Sequence, residues 1–181
     1  MARTRVLVIP GFGGSGPDHW QTLWEKKYGY QRVEQDDWDH PEPGSWLRRL
    51  DEVVNESDEP VALVAHSLGC VLLAHWAPKA PASRVVGALA VAPADVDSPM
   101  HTPDEVRCFA PLPVAALPFP SIVVASRTDP YVRFARAEQI ARGWGARLVD
   151  VGRLGHINAD TDVRDWPEGH RLLEELLAAP R

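Results

Sequence analysis

The chain has 181 residues, which a single globular domain spanning 1–181 accounts for, and 45% of them are apolar, so a sizeable core is expected. Its 25 acidic side chains outnumber 19 basic ones for a formal charge of −6, which argues against a nucleic-acid binder. No apolar stretch approaches the roughly eighteen residues of a membrane span, so no membrane partner is expected.

The first element is "RVLVIP" at residues 5–10. Its short apolar run leads into glycines and lacks the long h-region of a secretory leader, so it is expected to be a strand. Cys70 and Cys108 stand far apart with no metal-ligand or redox spacing. A cytoplasmic protein without metal or cofactor is the expectation.

Gly11, Gly13 and Gly16 follow with the spacing G-x-G-x-x-G, the pattern of a dinucleotide loop. Such a loop needs a helix opening near its second glycine, and Pro17 would sit about one turn inside that helix and obstruct it. Glu34 or Asp36 could fill the place of the acidic ribose ligand by chance. The sequence reads better with Ser15 or Gly16 as N-cap and Pro17 as the first helical residue. Bare backbone N–H groups after a strand can equally hold a transient oxyanion.

Trp20 and Trp24, four apart, are expected on one face of the first helix. A weak strand, "QRVEQ" at 31–35, comes next, and then "SWLRRLDEVV" sets Trp46, Leu47, Leu50, Val53 and Val54 on one helical face. Residues 61–72, "VALVAHSLGCVL", run an apolar strand into Ala65-His66-Ser67-Leu68-Gly69 and a helical pattern. Small residues two before and two after a serine, at a strand-to-helix turn, are the nucleophile-elbow arrangement. A serine there also suits an ordinary helix N-cap, but the full context favours the nucleophile.

"VVGALAVAP" at 85–93 and "SIVVAS" at 121–126 are further strands. Between Pro93 and Pro120 seven prolines predict an irregular excursion, either a rigid surface loop or the border of a pocket. A serine nucleophile needs a base, held in one tautomer by an acid, in the chain order serine, acid, histidine. Asp129 follows the strand at 121–126, and His156 follows "ARLVDVG" at 146–152 after Gly155. Asp129 before Pro130 also reads as an N-cap with its first-turn proline, a role compatible with holding an imidazole. Asp95 and Asp97 are the runner-up acids, and His66 is expected to pack or hydrogen-bond near the site. His19, His40, His75 and His101 rank lower, and His170 is expected on the solvent face of the final helix, "RLLEELLAA".

With Ser67 as nucleophile, the Leu68 N–H and an N–H of the Gly11–Gly14 loop, that of Phe12, are the expected oxyanion donors. Strands alternating with helices imply an α/β fold of about six mainly parallel strands with helices on both faces.

Taken together, "PGFGGSGPDHWQTLWE", "VEQDDWDHPEPGSWLRRLD", "LVAHSLGC", "ASRTDPYV", "WGARLVDVGRLGHIN" and the late "WPEG" resemble the small serine hydrolases of the retinoblastoma-binding protein 9 and YdeN type, within the α/β-hydrolase superfamily. The resemblance runs nearly end to end. It implies a compact hydrolase lacking the first two strands of the full fold, with a Ser67–Asp129–His156 triad. The expected function is cleavage of a small ester or amide through a covalent acyl-enzyme. The alternative is a catalytically weak member of the fold serving as a protein-interaction module. Trp38 and Trp166, in loops near strand ends, are expected to wall an acyl or aromatic pocket, whereas Trp46, Trp76 and Trp144 are expected in the core.

Overall fold

A computed structural model describes residues 4–179. Six strands join one sheet: β1 (Arg5–Ile9), β2 (Gln31–Arg32), β3 (Val61–His66), β4 (Val85–Val91), β5 (Ser121–Ala125) and β6 (Arg147–Asp150). They run parallel throughout in the order β2-β1-β3-β4-β5-β6. Five helices connect or follow them: α1 (Trp20–Tyr28), α2 (Pro43–Val54), α3 (Leu68–Trp76), α4 (Phe134–Trp144) and α5 (Pro167–Ala178). Among the described residues no helix is long and apolar enough to cross a membrane.

The central strands are apolar at nearly every position because both faces of the sheet are covered. On one face Leu7, Ile9, Leu63 and Ala65 pack with Trp46, Leu50, Trp76 and Trp144 of α2, α3 and α4. On the other, Val6, Ala62 and Val64 pack with Trp20, Trp24, Leu173 and Leu176 of α1 and α5. The alternation along each strand follows from the two-residue period of the pleat. All three tryptophans expected in the core are buried there.

Several local readings change. The weak strand is only two residues long. The first helix opens at Trp20, with His19 as its N-cap, rather than at Pro17. Pro17 is instead the second residue of a turn that the His19 N–H closes onto the Gly16 carbonyl at 3.0 Å, a position where proline's fixed φ is favourable. Asp129-Pro130 likewise does not open a helix, since α4 starts at Phe134 with Arg133 as N-cap. The Asp129 carboxylate accepts the Tyr131 N–H at 2.9 Å in a short side-chain turn. His170 lies inward rather than toward solvent. Its ring stacks on Tyr28 at 4.0 Å, and its Nε2 and the Tyr30 hydroxyl are hydrogen-bonded at 2.8 Å.

The order of the strands places the site. From β1 the chain moves outward to β2, then returns across β1 to form β3 on its other side. Connections therefore leave β1 and β3 in opposite directions, which opens a crevice beyond their carboxyl ends. The glycine loop leaves β1 at this point, and Ser67 follows β3 directly.

Candidate active site

Ser67 sits between β3 and α3 at φ 55° and ψ −121°, a backbone region costly for a residue with a Cβ. Close packing holds it there. A Cβ on Gly69 would lie 2.3 Å from the Ile9 carbonyl oxygen and 2.9 Å from that of Pro10, so α3 meets the end of β1 only because residue 69 has no side chain. Gly11 plays the matching part on the facing loop, where a Cβ would come 2.9 Å from the Leu68 nitrogen and 3.1 Å from the Ser67 Cβ. The Ser67 N–H donates to the Val91 carbonyl at 3.0 Å, which ties the turn to β4.

Asp129 and His156 arrive from the two strands on the far side of β4. The Ser67 hydroxyl and His156 Nε2 are 2.9 Å apart, and His156 Nδ1 is 2.9 Å from both carboxylate oxygens of Asp129. The carboxylate accepts only, so Nδ1 carries the proton and Nε2 is left free to accept from the serine. Asp129 and His156 are both buried, which strengthens the attraction between carboxylate and imidazolium. The Tyr131 ring packs edge-on against His156 at 4.5 Å.

The histidine loop is fastened at several points that sequence reading did not identify. The Ser126 hydroxyl oxygen accepts the Leu154 N–H at 2.9 Å, and that of Thr128 accepts the Gly155 N–H at 3.0 Å. The Arg127 N–H donates to the Gly152 carbonyl at 2.7 Å. These bonds clasp the acid loop to the histidine loop and set their spacing. From below, His66 Nε2 donates to the His156 carbonyl at 2.9 Å and Trp20 Nε1 to the Ile157 carbonyl at 2.8 Å. His66 hydrogen-bonds beside the site as its place next to Ser67 suggests, whereas the hydroxyl clasps have no signal beyond the polar pair flanking Arg127 in "ASRTD", which no spacing rule connects to residues 154 and 155.

The glycine loop faces the elbow. Among the described residues neither the Phe12 nor the Leu68 N–H donates to a backbone carbonyl outside the regular helices and strands, whereas the Gly13 N–H donates to the Trp38 carbonyl and the Gly14 N–H to that of Gly11, each at 3.0 Å. Arg32 donates to the Gly14 and Ser15 carbonyls and pairs with Glu25 at 2.9 Å, anchoring the loop from the sheet edge. A cavity of about 310 Å³ opens over Ser67 between this loop, the proline-rich excursion at Thr102, Pro103 and Val106, and Tyr131. The excursion therefore borders the pocket.

Trp38 and Trp166 do not wall this cavity. Trp38 is half-buried under the loop, where a Cβ on Gly14 would come 2.7 Å from its ring, and it packs edge-on against Trp46 at 5.5 Å. Trp166 is buried between the layers, stacked on Trp24 at 6.2 Å and edge-on to Trp20 at 5.1 Å. Each ring covers more apolar surface there than at a pocket rim. Asp95 and Asp97, the alternative acids, pair instead with Arg136 at 3.4 and 2.8 Å.

His66 and His19 lie beside the triad, and burial holds both rings well below the usual histidine range, that of His19 at about 3. An unfolded chain takes up protons on these residues below pH 6.5, while the fold refuses them. Stability is therefore complete above that pH and declines as pH falls through 6.5 toward the folded values. The expected loss at pH 5 is roughly 2 kcal/mol from His19, and His66 adds to it in the same direction. Urea midpoints at pH 7 and pH 5 measure it, and a flat profile would contradict the burial of these rings.

The parallel sheet, the serine in its strained turn and the aspartate and histidine from successive strand ends define the class: this is an α/β-hydrolase fold. The family comes from direct comparison. Residues 6–175 match the model of the serine hydrolase family, and the chain belongs to that family. A structure from Pectobacterium atrosepticum described as a YdeN-like hydrolase shares 30% identity, with a TM-score of 0.85 over 96% of this chain and 90% of the other. YdeN of Bacillus subtilis is 24% identical over 90% of both chains. Est1E of Butyrivibrio proteoclasticus shares the fold at 14% identity, with a TM-score of 0.73 over 99% of this chain and 90% of its own.

Proposed function

We propose that this hydrolase cleaves a small, uncharged ester or amide through a covalent acyl-enzyme formed on Ser67. The observation that carries the reading is the continuous chain of hydrogen bonds from Ser67 through His156 to Asp129, with each link at 2.9 Å. His156 Nε2 takes the hydroxyl proton as Ser67 Oγ attacks the carbonyl carbon, and Asp129 steadies the resulting imidazolium. The Phe12 and Leu68 N–H groups receive the developing oxyanion, each worth about 3–4 kcal/mol in a transition state. His156 then hands its proton to the leaving alcohol or amine, and water repeats the sequence to release the acid.

The substrate class follows from the walls. The cavity of about 310 Å³ is at the small end of ligand pockets, roughly 300–1,000 Å³. Phe12, Leu68, Ala94, Val106 and Tyr131 supply apolar lining, and no lysine or arginine among the described residues lines it. A short acyl group suits these walls, whereas a carboxylate or phosphate would lack a counter-charge. Carboxylesterase activity is the form of the reaction these features support, with amide cleavage proceeding through the same tetrahedral anion.

A fluorophosphonate probe tests the reading. The expected result is one adduct on Ser67, absent in Ser67→Ala and in His156→Ala. A wild-type chain that is folded yet unlabelled would leave the interaction-module alternative standing.

A further inference from the structure

Gln21 is fully buried in the first turn of α1, a helix whose other buried side chains are Trp20 and Trp24. Burying a glutamine costs both its hydration and its rotamer freedom, so its polar atoms need partners. Nε2 donates to the Ile9 carbonyl at 3.3 Å and to the Val64 carbonyl at 3.1 Å, while Oε1 accepts the Ser15 hydroxyl at 2.7 Å. The two carbonyls can only accept, so the partners themselves fix which way the amide faces.

Those partners belong to the three pieces of backbone that frame the oxyanion site. Ile9 ends β1 just before the glycine loop, Val64 lies in β3 just before Ser67, and Ser15 closes the loop. The loop needs a hold at that end. Gly13, Gly14 and Ser15 follow one another at φ 79°, 78° and 49°, and for Ser15 this left-handed backbone is costly. Thr22, next along α1, donates its hydroxyl to the Ser15 carbonyl at 2.7 Å, so the first turn of the helix grips Ser15 by side chain and backbone. The Ile9 carbonyl that Gln21 holds is also the oxygen that Gly69 abuts, and its place sets how near the Leu68 turn stands to the loop.

We propose that Gln21 is a positioning residue for the oxyanion site, fixing the separation of the Phe12 and Leu68 N–H groups without touching substrate. The inference rests on the proposed function and deepens it. One planar amide, with donors on one edge and an acceptor on the other, joins two strands and a loop at set spacing. An apolar side chain of the same volume would fill the space and leave that spacing free. Donors arranged in advance around a developing charge lose their effect steeply when displaced, by about 100-fold for a shift of roughly 1 Å.

The test uses full-length Gln21→Met and Ser15→Ala on p-nitrophenyl butyrate, with Val6→Ala as a control that thins the core on the same face of the sheet. Methionine matches glutamine in length and supplies no N–H donor. Acylation and deacylation both pass through the oxyanion, so kcat reports it whichever step limits. In Gln21→Met, kcat is expected to fall about 30-fold with KM within about twofold of wild type. The lower inflection of the pH profile, set by His156, should stay in place. The inhibition constant of a trifluoromethyl ketone, whose adduct with Ser67 bears the same oxyanion, should rise by a similar factor. Val6→Ala should lower the urea midpoint and leave kcat unchanged. If Gln21→Met does not fold, Ser15→Ala carries the test, with an expected loss in kcat of about threefold for one neutral hydrogen bond. Wild-type kcat in the folded variant would reduce Gln21 to a core residue and overturn the proposal. A shifted pH profile would overturn it too, by placing the effect on the triad. Failure of wild type to hydrolyse the ester or to label with fluorophosphonate would instead overturn the acyl-enzyme reading, and this inference with it.

Discussion

Ser67→Ala is expected to lower kcat on p-nitrophenyl butyrate by roughly 10⁶-fold, and Asp129→Asn by roughly 10⁴-fold. On the proposed mechanism the two losses differ because the residues would act at different stages of one relay. Without the Ser67 oxygen no acyl-enzyme forms, and only binding and the paired amides remain. With asparagine at 129 the oxygen and nitrogen positions are kept, but the amide no longer compels the proton onto Nδ1, where the 2.9 Å contacts now hold it. The wrong tautomer then presents an N–H to the serine. Steady-state rates with urea midpoints recorded alongside check both values. Full activity in a folded Ser67→Ala protein would remove the nucleophile.

Gly69→Ala should be the most damaging single methyl in the molecule's catalytic corner. The added carbon would lie 2.3 Å from the Ile9 carbonyl oxygen, in a place walled by backbone rather than by a yielding side chain. Either α3 withdraws from β1 or the end of the strand bends, at a cost of about 1–3 kcal/mol. Both movements separate the Leu68 N–H from that of Phe12, so kcat should fall about 100-fold beyond the stability loss. A Cβ on Gly16 meets nothing within 4 Å, so Gly16→Ala serves as the stability control, with a melting temperature near that of wild type. Comparing melting temperatures and kcat for the two variants decides the matter.

The legible parts of this protein are those where one short stretch contains its own constraint. Ala65-His66-Ser67-Leu68-Gly69 announces a cramped turn because bulk is missing on both sides of the serine, and Gly69 does meet β1 at backbone distance. The strand runs at 61–66 and 85–91 are apolar at nearly every position, which already implies two covered faces. His170 was misplaced because periodicity scores histidine as polar, while its ring surface is satisfied by Tyr28 and its nitrogen by Tyr30. Trp166 was misplaced for the converse reason. Its loop position suggested access, but α1 presents Trp20 and Trp24 to it across a separation of about 140 residues that no local pattern encodes. The hydroxyls of Ser126 and Thr128 fall in the same category, since their acceptor role exists only once two loops lie side by side.

The ring N–H donors of His66 and Trp20 grip the chain at carbonyls 156 and 157. Everything upstream of that grip must keep its length to the residue, because the imidazole depends on it. Downstream, the short stretch around Asp162 and Arg164 is exposed before α5 begins. A covering subdomain spliced into this outer stretch would leave the base undisturbed, so the minimal scaffold can gain a roof, and with it a new substrate range, without rebuilding its catalytic floor.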